Sequence, residues 1–180
     1  MEWIIVVIVL VVVISAFIKS SAGKGYNYRQ RGPLFTAAER SFLGVLDQAV
    51  SDNYRVFGKI RVADVISPAK GMDRKNWQIA FNKISSKHFD YVLCSKDKLE
   101  VIAVIELDDK SHNTKKATNR DALLENACKS AELKLIRFQA KSGYQVQAVR
   151  EHINLALNPL ESAESLNKSS KLDALKRAIT

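Results

Sequence analysis

The residues best suited to chemistry are acidic side chains on two neighbouring predicted strands. Asp90 lies in HFDYVL, and Glu106 and Asp108 lie in VIELDDKSH, where side-chain alternation places the latter two on one strand face. Ionised carboxylates at the end of a buried strand are costly unless a cation offsets their charge. Mg²⁺ (or Mn²⁺) does this with one or two carboxylates and keeps waters and phosphate oxygens as further ligands. The spacing therefore predicts a divalent-metal site, beside which His112 could transfer a proton or position a water.

Each of these residues also has an ordinary structural interpretation. Asp90 alone could cap a turn or form an ion pair with Lys87 or Arg120. His112 alone is typical of a solvated loop. Two carboxylates at the end of one buried strand are harder to explain without a function, because unpaired acidic residues are rarely buried.

A capping box predicts where the first helix of the folded domain begins. Thr36 and Glu39 have the required spacing, and capping alone would explain Glu39. The predicted helix covers 37–51, with apolar residues at helical spacing: Phe42, Leu43, Leu46 and Val50.

The remaining pattern predicts an α/β domain with a small mixed sheet flanked by helices, in the order α-β-α-β-β-α-β-α. Asp73 can cap a second helix with an apolar stripe formed by Trp77, Ala80, Phe81 and Ile84. The long connection between the last two strands predicts that they are parallel. The predicted strands are 54–66, 88–94, 99–107 and 133–138, and the later helices are 115–132 and 145–157.

The hairpin between the second and third strands decides whether Asp90 and Glu106 can cooperate. Directly opposed residues of an antiparallel pair share a face, and the face alternates at each step. A three-residue loop at Lys96–Lys98 pairs Asp90 with Val104 and leaves Glu106 two steps away on the same face. This loop lacks the glycine that three-residue hairpin loops prefer. We predict a register that keeps both carboxylates on one face and close enough to share an ion.

The 180-residue chain has a net charge of +9, which excludes an acidic calcium-binding protein and favours polyanionic partners such as DNA, RNA or anionic lipid. Cys94 and Cys128 lie in apolar surroundings without metal-ligand spacing. We therefore predict that both cysteines are small buried apolar residues without a disulfide partner, which fits a reducing compartment.

The first residues have a different composition from the rest. Trp3–Ile18 is a run of sixteen uncharged, mainly apolar residues, followed by positive charges at Lys19, Lys24, Arg29 and Arg31. A cleaved signal peptide is the alternative, but its positive charge would precede the run. The sequence predicts a transmembrane anchor at 1–18 in the bacterial inner membrane, with the N-terminus outside and the domain cytoplasmic. It also predicts a basic linker at 19–35 on anionic lipid, the α/β domain at 36–157 and a polar tail at 158–180.

These motifs, together with RDALLENACKSAELKLIRF and the element order, resemble the PD-(D/E)XK nuclease superfamily. The closest resemblance is to its very-short-patch-repair-like branch, whose motif runs Asp … Ile-Glu-x-Asp-Gly-x-x-His. More narrowly, residues 28–155 resemble an uncharacterised bacterial family, a domain of unknown function often carried behind one membrane helix. A restriction-endonuclease-like fold is what this resemblance implies.

The resemblance also implies roles for single residues. Asp90 matches the first metal-binding aspartate, Glu106 the acidic member of the pair, and His112 the branch histidine. Asp108 stands where the superfamily has its lysine, and Asp109 replaces a glycine. Further matches are Glu39, which corresponds to a first-helix glutamate at the metal, and the basic positions Arg120 and Arg137.

The implied activity is metal-dependent hydrolysis of nucleic acid phosphodiesters. The missing lysine could be replaced by Lys110, Lys87 or His112, and an inactive binding or scaffold module with the same fold is the alternative. Basic residues would hold the nucleic acid backbone without reading sequence, although several are also typical of a solvated helix face. These candidates are Lys87, Lys110, Lys116, Arg120 and Arg137.

Overall fold

The computed structural model describes residues 2–21, 26–108 and 115–158. The chain separates into two compact units between Pro33 and Leu34. The helices are α1 (Glu2–Ser21), α2 (Ala37–Val50), α3 (Val62–Val65), α4 (Arg74–Ile84), α5 (Lys115–Ser130) and α6 (Val146–Leu157). The strands are β1 (Tyr54–Arg61), β2 (His88–Ser95), β3 (Val101–Asp108) and β4 (Lys134–Gln139).

The first unit contains α1, whose side chains are exposed from Glu2 to Ser15. Within the part of the chain that the structure describes, no helix combines the length and apolar character needed to cross a membrane. The predicted anchor at 1–18 is therefore wrong, and so is the predicted single-pass location in the inner membrane. The uncharged run has sixteen residues. As a helix it extends about 24 Å, less than the roughly 30 Å of a hydrocarbon core.

The second unit is a mixed α/β domain built on a four-stranded sheet in the order β1-β2-β3-β4. β2 is antiparallel to both of its neighbours, whereas β3 and β4 are parallel, which confirms the prediction from the long connection between them. Central strands β2 and β3 are buried over most of their length.

Helices cover both faces of the sheet. On one face α2 and α6 close a core that includes Phe42, Leu46, Ile105 and Ile153. On the other face α3, α4 and α5 contribute to a second core, which also holds Cys94 and Cys128. Both cysteines are buried, as the sequence predicted.

Two predicted elements are corrected. The first strand ends at Arg61 instead of 66, because the chain turns into α3 at Val62, whose carbonyl accepts from the Ile66 N–H (2.8 Å). The apolar stripe predicted for the second helix is only partly buried. Ile84 is the only buried residue of α4, and Trp77 is exposed.

The β2–β3 register differs by two residues from the predicted one. Val104 pairs with Val92 and not with Asp90, which moves Asp90 opposite Glu106. A bulge between Leu93 and Cys94 and a longer loop accompany the shift, and Leu99 adopts the left-handed region (φ 57°). A two-residue shift preserves the predicted faces within the ladder, which ends at Tyr91 and Ile105. Asp90 and Glu106 lie just beyond it, linked by a hydrogen bond from the Asp90 N–H to Glu106 Oε1 (3.3 Å).

Candidate functional site

The β2–β3 ladder ends at the pair Tyr91 and Ile105, and the next step sets Asp90 opposite Glu106. Beyond this pair, carboxylate oxygens of Asp90 and Glu106, and not backbone carbonyls, accept hydrogen bonds from the backbone of the neighbouring strand. The Asp90 N–H donates to Glu106 Oε1 (3.3 Å), and the Leu107 N–H donates to Asp90 Oδ2 (3.0 Å). Asp90 is 7% exposed and Glu106 is 4% exposed. Two carboxylates are thus held between diverging strands, out of water.

Lys59 provides the nearest positive charge. Its Nζ donates to Asp90 Oδ1 and to Glu39 Oε1, each at 2.7 Å. Lys59 lies in β1 between Gly58 and Ile60, yet its φ is +55°. A left-handed residue inside a strand is strained unless its surroundings hold it, and such residues often occur at functional sites.

The left-handed turn at Lys59 changes which core the strand faces. Before it, Val56 packs into the core closed by α2 and α6, whereas Ile60 after it packs into the opposite core. β2 changes face at the same level, since Tyr91 belongs to the first core and Phe89 to the second. Lys59 therefore lies at the crossover of a strongly twisted strand pair.

Phe35 covers this crossover. Its ring stacks on Tyr91 with centroids 5.7 Å apart, and Lys59 Nζ lies 5.8 Å from the ring centroid. A Cβ on Gly58 would collide with the Phe35 ring. The glycine therefore lets the aromatic ring lie close to the backbone beside the lysine.

Glu39 serves both α2 and the charged cluster. The capping box is present: the Thr36 N–H donates to Glu39 Oε2 (2.8 Å), and the Glu39 N–H donates to Thr36 Oγ1 (3.3 Å). Burial raises the pKa of Glu39, but hydrogen bonds from Lys59 and Thr36 outweigh it and the pKa falls below its ordinary value. For Lys59, burial lowers the pKa, yet the hydrogen bonds to Asp90 and Glu39 leave it above its ordinary value. Lys59 is therefore a fixed cation at neutral pH.

The pKa of Glu106 is shifted in the opposite direction from that of Glu39. Burial raises its pKa to about 7, the negative charge of Asp90 adds to the increase, and Arg120 counters it. Arg120 Nη2 donates to Glu106 Oε2 at 3.0 Å. Burial next to Asp90 therefore makes Glu106 hold its proton more tightly than an ordinary carboxyl group.

Arg137 completes a charged row across the sheet. It pairs with Glu106 in the parallel β3–β4 register and donates from Nη1 to Asp108 Oδ1 (2.7 Å). Its Nη2 is buried without a hydrogen-bond partner among the described residues. Lys59 contacts Asp90, the Asp90 N–H donates to Glu106, and Arg137 lies opposite Glu106, so two central acids are flanked by two cations.

The structure brings most of the predicted site residues together and places others elsewhere. The cluster contains six of them: Glu39, Asp90, Glu106, Asp108, Arg120 and Arg137. Arg120 and Arg137, predicted to hold nucleic acid, contact carboxylates instead. Lys87 is half-buried between α4 and β2. Lys110 and His112 lie outside the described residues, as does the side chain of Lys116.

Sequence reasoning missed Lys59. The signal that could have found it is Gly58, because a glycine inside a strand often marks a bulge or a close backbone approach. Here the register of β1 is unbroken and the left-handed backbone of Lys59 changes which core the strand faces, so this lysine does not have to point to solvent.

The predicted Mg²⁺ or Mn²⁺ can be compared with the side-chain oxygens that the cluster offers as ligands. Over residues 2–21, 26–108 and 115–158, no group of three His, Cys, Asp or Glu side chains is arranged to hold an ion. Mg²⁺ needs only one or two carboxylates, however, and completes its shell with water. Asp90 and Glu106 supply two, and each of their oxygens accepts one hydrogen bond and keeps a second lone pair. The pair fits a hydrated Mg²⁺ or Mn²⁺.

Fold and site together define a mixed α/β domain with buried carboxylates held between two strands at the end of their ladder. The chain belongs to the family described as Protein of unknown function (DUF2726), whose model matches residues 30–157. This confirms the predicted membership of an uncharacterised family, with nearly the predicted limits. No curated protein and no solved structure matches the chain.

Proposed function

We propose that this domain is a divalent-metal-dependent, nuclease-like domain that acts on nucleic acid phosphodiesters. The observation that carries the proposal is the buried pair Asp90 and Glu106, with the Lys59 ammonium 2.7 Å from Asp90. Two acids and one lysine at the end of a central strand pair are the chemical groups of the (D/E)XK motif. The net charge of +9 favours a polyanionic substrate.

Asp90 and Glu106 would hold Mg²⁺ or Mn²⁺, which when bound polarises a phosphate oxygen and lowers the pKa of water. Asp108 is paired with Arg137 and so is a weaker candidate ligand. The third predicted ligand, Glu39, holds Lys59.

In this proposal Lys59 takes the part of the lysine that the motif lacks at Asp108. Its raised pKa keeps it protonated, so it stabilises negative charge on a phosphate and does not act as a base. Glu39 and Asp90 fix its position from two sides. The aspartate at position 108 is then compatible with the proposed activity, because Lys59 of β1 supplies the lysine.

A second candidate is a binding module without catalysis, and one observation favours it. Each of the four carboxylates already contacts a cation: Glu39 and Asp90 contact Lys59, Glu106 contacts Arg120, and Asp108 contacts Arg137. Such a set is nearly charge-balanced without a metal.

A cleavage assay separates the two. Full-length protein is incubated with plasmid, single-stranded DNA and RNA in Mg²⁺, Mn²⁺ or EDTA. We expect metal-dependent cleavage that Glu106→Ala abolishes and Glu125→Ala, which removes an exposed glutamate of α5, leaves intact.

Calorimetric titration with Mn²⁺ gives a second readout. The wild-type protein and Glu125→Ala should bind the ion, and Glu106→Ala should not. Metal binding without cleavage would contradict the enzyme and support the binding module. No Mn²⁺ binding would overturn the metal site.

A further inference from the structure

Helix α4 is attached to the domain mainly by its last turn. Ile84 is its only buried residue, and every residue from Arg74 to Ile79 is exposed. Asp73 caps its first turn by accepting from the Asn76 N–H (3.0 Å). A helix that buries so little gains little from packing, so its exposed face needs another explanation.

That exposed surface carries an aromatic pair. Trp77 and Phe81 stack with centroids 5.1 Å apart and planes inclined by 10°. Because Phe81 supports one side of the indole, Trp77 is held in one orientation while 36% of it stays exposed. An indole held in this way offers a flat surface on which another ring can stack.

A shallow groove of about 410 Å³ lies between the Gly71–Asp73 loop and α4, lined by a different side of the helix from Trp77 and Phe81. Its lining is largely apolar, with Met72, Ile79 and Ala80, and Lys83 also lines it. Met72 and Ile79 are both more than 40% exposed. The groove is open and can accept flat or apolar groups.

The charge around α4 is strongly positive. Residues 68–87 contain one acid, Asp73, whose carboxylate is already engaged in capping. Five basic residues share the segment, and none of them forms an ion pair among the described residues: Lys70, Arg74, Lys75, Lys83 and Lys87. Arg120 and Arg137, in contrast, each form an ion pair with a carboxylate.

We infer that this α4 surface, namely Trp77, the groove and the five basic residues, binds single-stranded nucleic acid. Free cations hold the phosphates, and an unpaired base stacks on Trp77. A duplex keeps its base faces covered, and an acidic peptide supplies the charge but no bases. The inference rests on the proposed function and names its substrate class.

The α4 surface is also connected to the candidate site. Six residues lead from Ile84 to Asp90, which span at most about 20 Å when extended. This bound is short compared with an extended oligonucleotide, so we infer that one substrate molecule serves binding and cleavage.

The experiment measures binding without cleavage. Full-length protein carrying Trp3→Phe, which leaves Trp77 as its only tryptophan, is titrated in EDTA with a 12-nucleotide thymidine oligomer. A 12-base-pair duplex is titrated in parallel, and anisotropy of a labelled oligomer gives Kd. We expect quenching of Trp77 by the single strand and binding at least several-fold weaker to the duplex.

Matched variants test the aromatic contact. Trp77→Ala should weaken single-strand binding about tenfold, whereas Trp77→Phe should largely restore it. Leu155→Ala removes an exposed apolar side chain on α6, at the other face of the sheet, and should have no effect. Circular dichroism verifies that the variants fold.

Wild-type protein and Glu125→Ala should both bind the oligomer in EDTA, where metal-dependent cleavage cannot occur, which distinguishes this inference from the proposed cleavage. Equal binding to both nucleic acids, unchanged by Trp77→Ala, would overturn the α4 surface and leave the nuclease proposal intact. Absence of single-strand binding at low salt, or a Trp77 response to poly-glutamate alone, would also overturn it.

Discussion

Lys59 and Asp90 face each other across β1 and β2, with Nζ and Oδ1 2.7 Å apart, although Lys59 has a left-handed backbone. In a regular strand, the side chain of Lys59 would lie on the face of the sheet set by strict alternation. The left-handed residue places its ammonium instead between an acid of α2 and an acid of β2. The charged cluster therefore depends on one unusual backbone conformation.

The first prediction concerns Lys59→Met. Removing the ammonium leaves Asp90 and Glu39 without their shared cation, and we expect a loss of about 2 kcal/mol in the free energy of unfolding. Fully buried pairs lose more, roughly 3–5 kcal/mol, but Lys59 is partly exposed. Urea denaturation measures the change. Lys129→Met, at an exposed position of α5, is the control and should change stability little.

A second prediction separates the two functions of Glu39. Glutamine keeps a capping acceptor but removes the charge, whereas alanine removes both. Glu39→Ala should therefore cost about 1 kcal/mol more than Glu39→Gln. In a Lys59→Met background the cost of Glu39→Gln should nearly disappear, and a cost that persists would show that the ion pair contributes nothing.

The third prediction is a pH dependence. The pKa of Glu106 in the folded protein, about 7, lies above the ordinary 4.5, so folding favours the protonated form. The stability from this proton is complete below pH 4.5 and is lost as the pH rises through 7. Two and a half pKa units correspond to on the order of 3 kcal/mol.

Glu106→Gln should therefore be less sensitive to pH than the wild type in EDTA. Urea denaturation at pH 5 and pH 8 measures both proteins, and the difference between them isolates Glu106 from other carboxylates. Parallel pH profiles would contradict the raised pKa.

A fourth prediction concerns Gly58→Ala. The added methyl group collides with the Phe35 ring, which must leave its stack on Tyr91. We expect a loss of about 1–3 kcal/mol by thermal unfolding, together with impaired activity. The double variant Gly58→Ala with Phe35→Leu should recover part of this stability, while Gly44→Ala, at an open position, should not destabilise.

Local signals in the sequence were sufficient for much of the fold. The capping residues Thr36 and Asp73 mark two helix starts, and the long connection before β4 gives its parallel pairing. Periodicity failed at the end of β1. The short helix α3 ends β1 early, although Val and Ile residues continue a strand-like pattern through Ile66.

The acids of the candidate site and its two arginines, Arg120 and Arg137, could be named from the sequence, whereas Lys59 could not. Asp90 and Glu106 were found because carboxylates are rare on buried strands. Their pairing with Lys59 and Arg120 depends on contacts between residues distant in sequence. Hydropathy does not distinguish a lysine that points inward from one in water.

The left-handed residue in β1 also has a consequence for association between molecules. β1 lies at the edge of the sheet, where unpaired backbone groups can recruit a strand from another chain. The break at Lys59 and the start of α3 at Val62 shorten the flat part of this edge. A substitution that favours an extended backbone, such as Lys59→Val, would straighten the edge while removing the charge, so loss of the site would be accompanied by self-association.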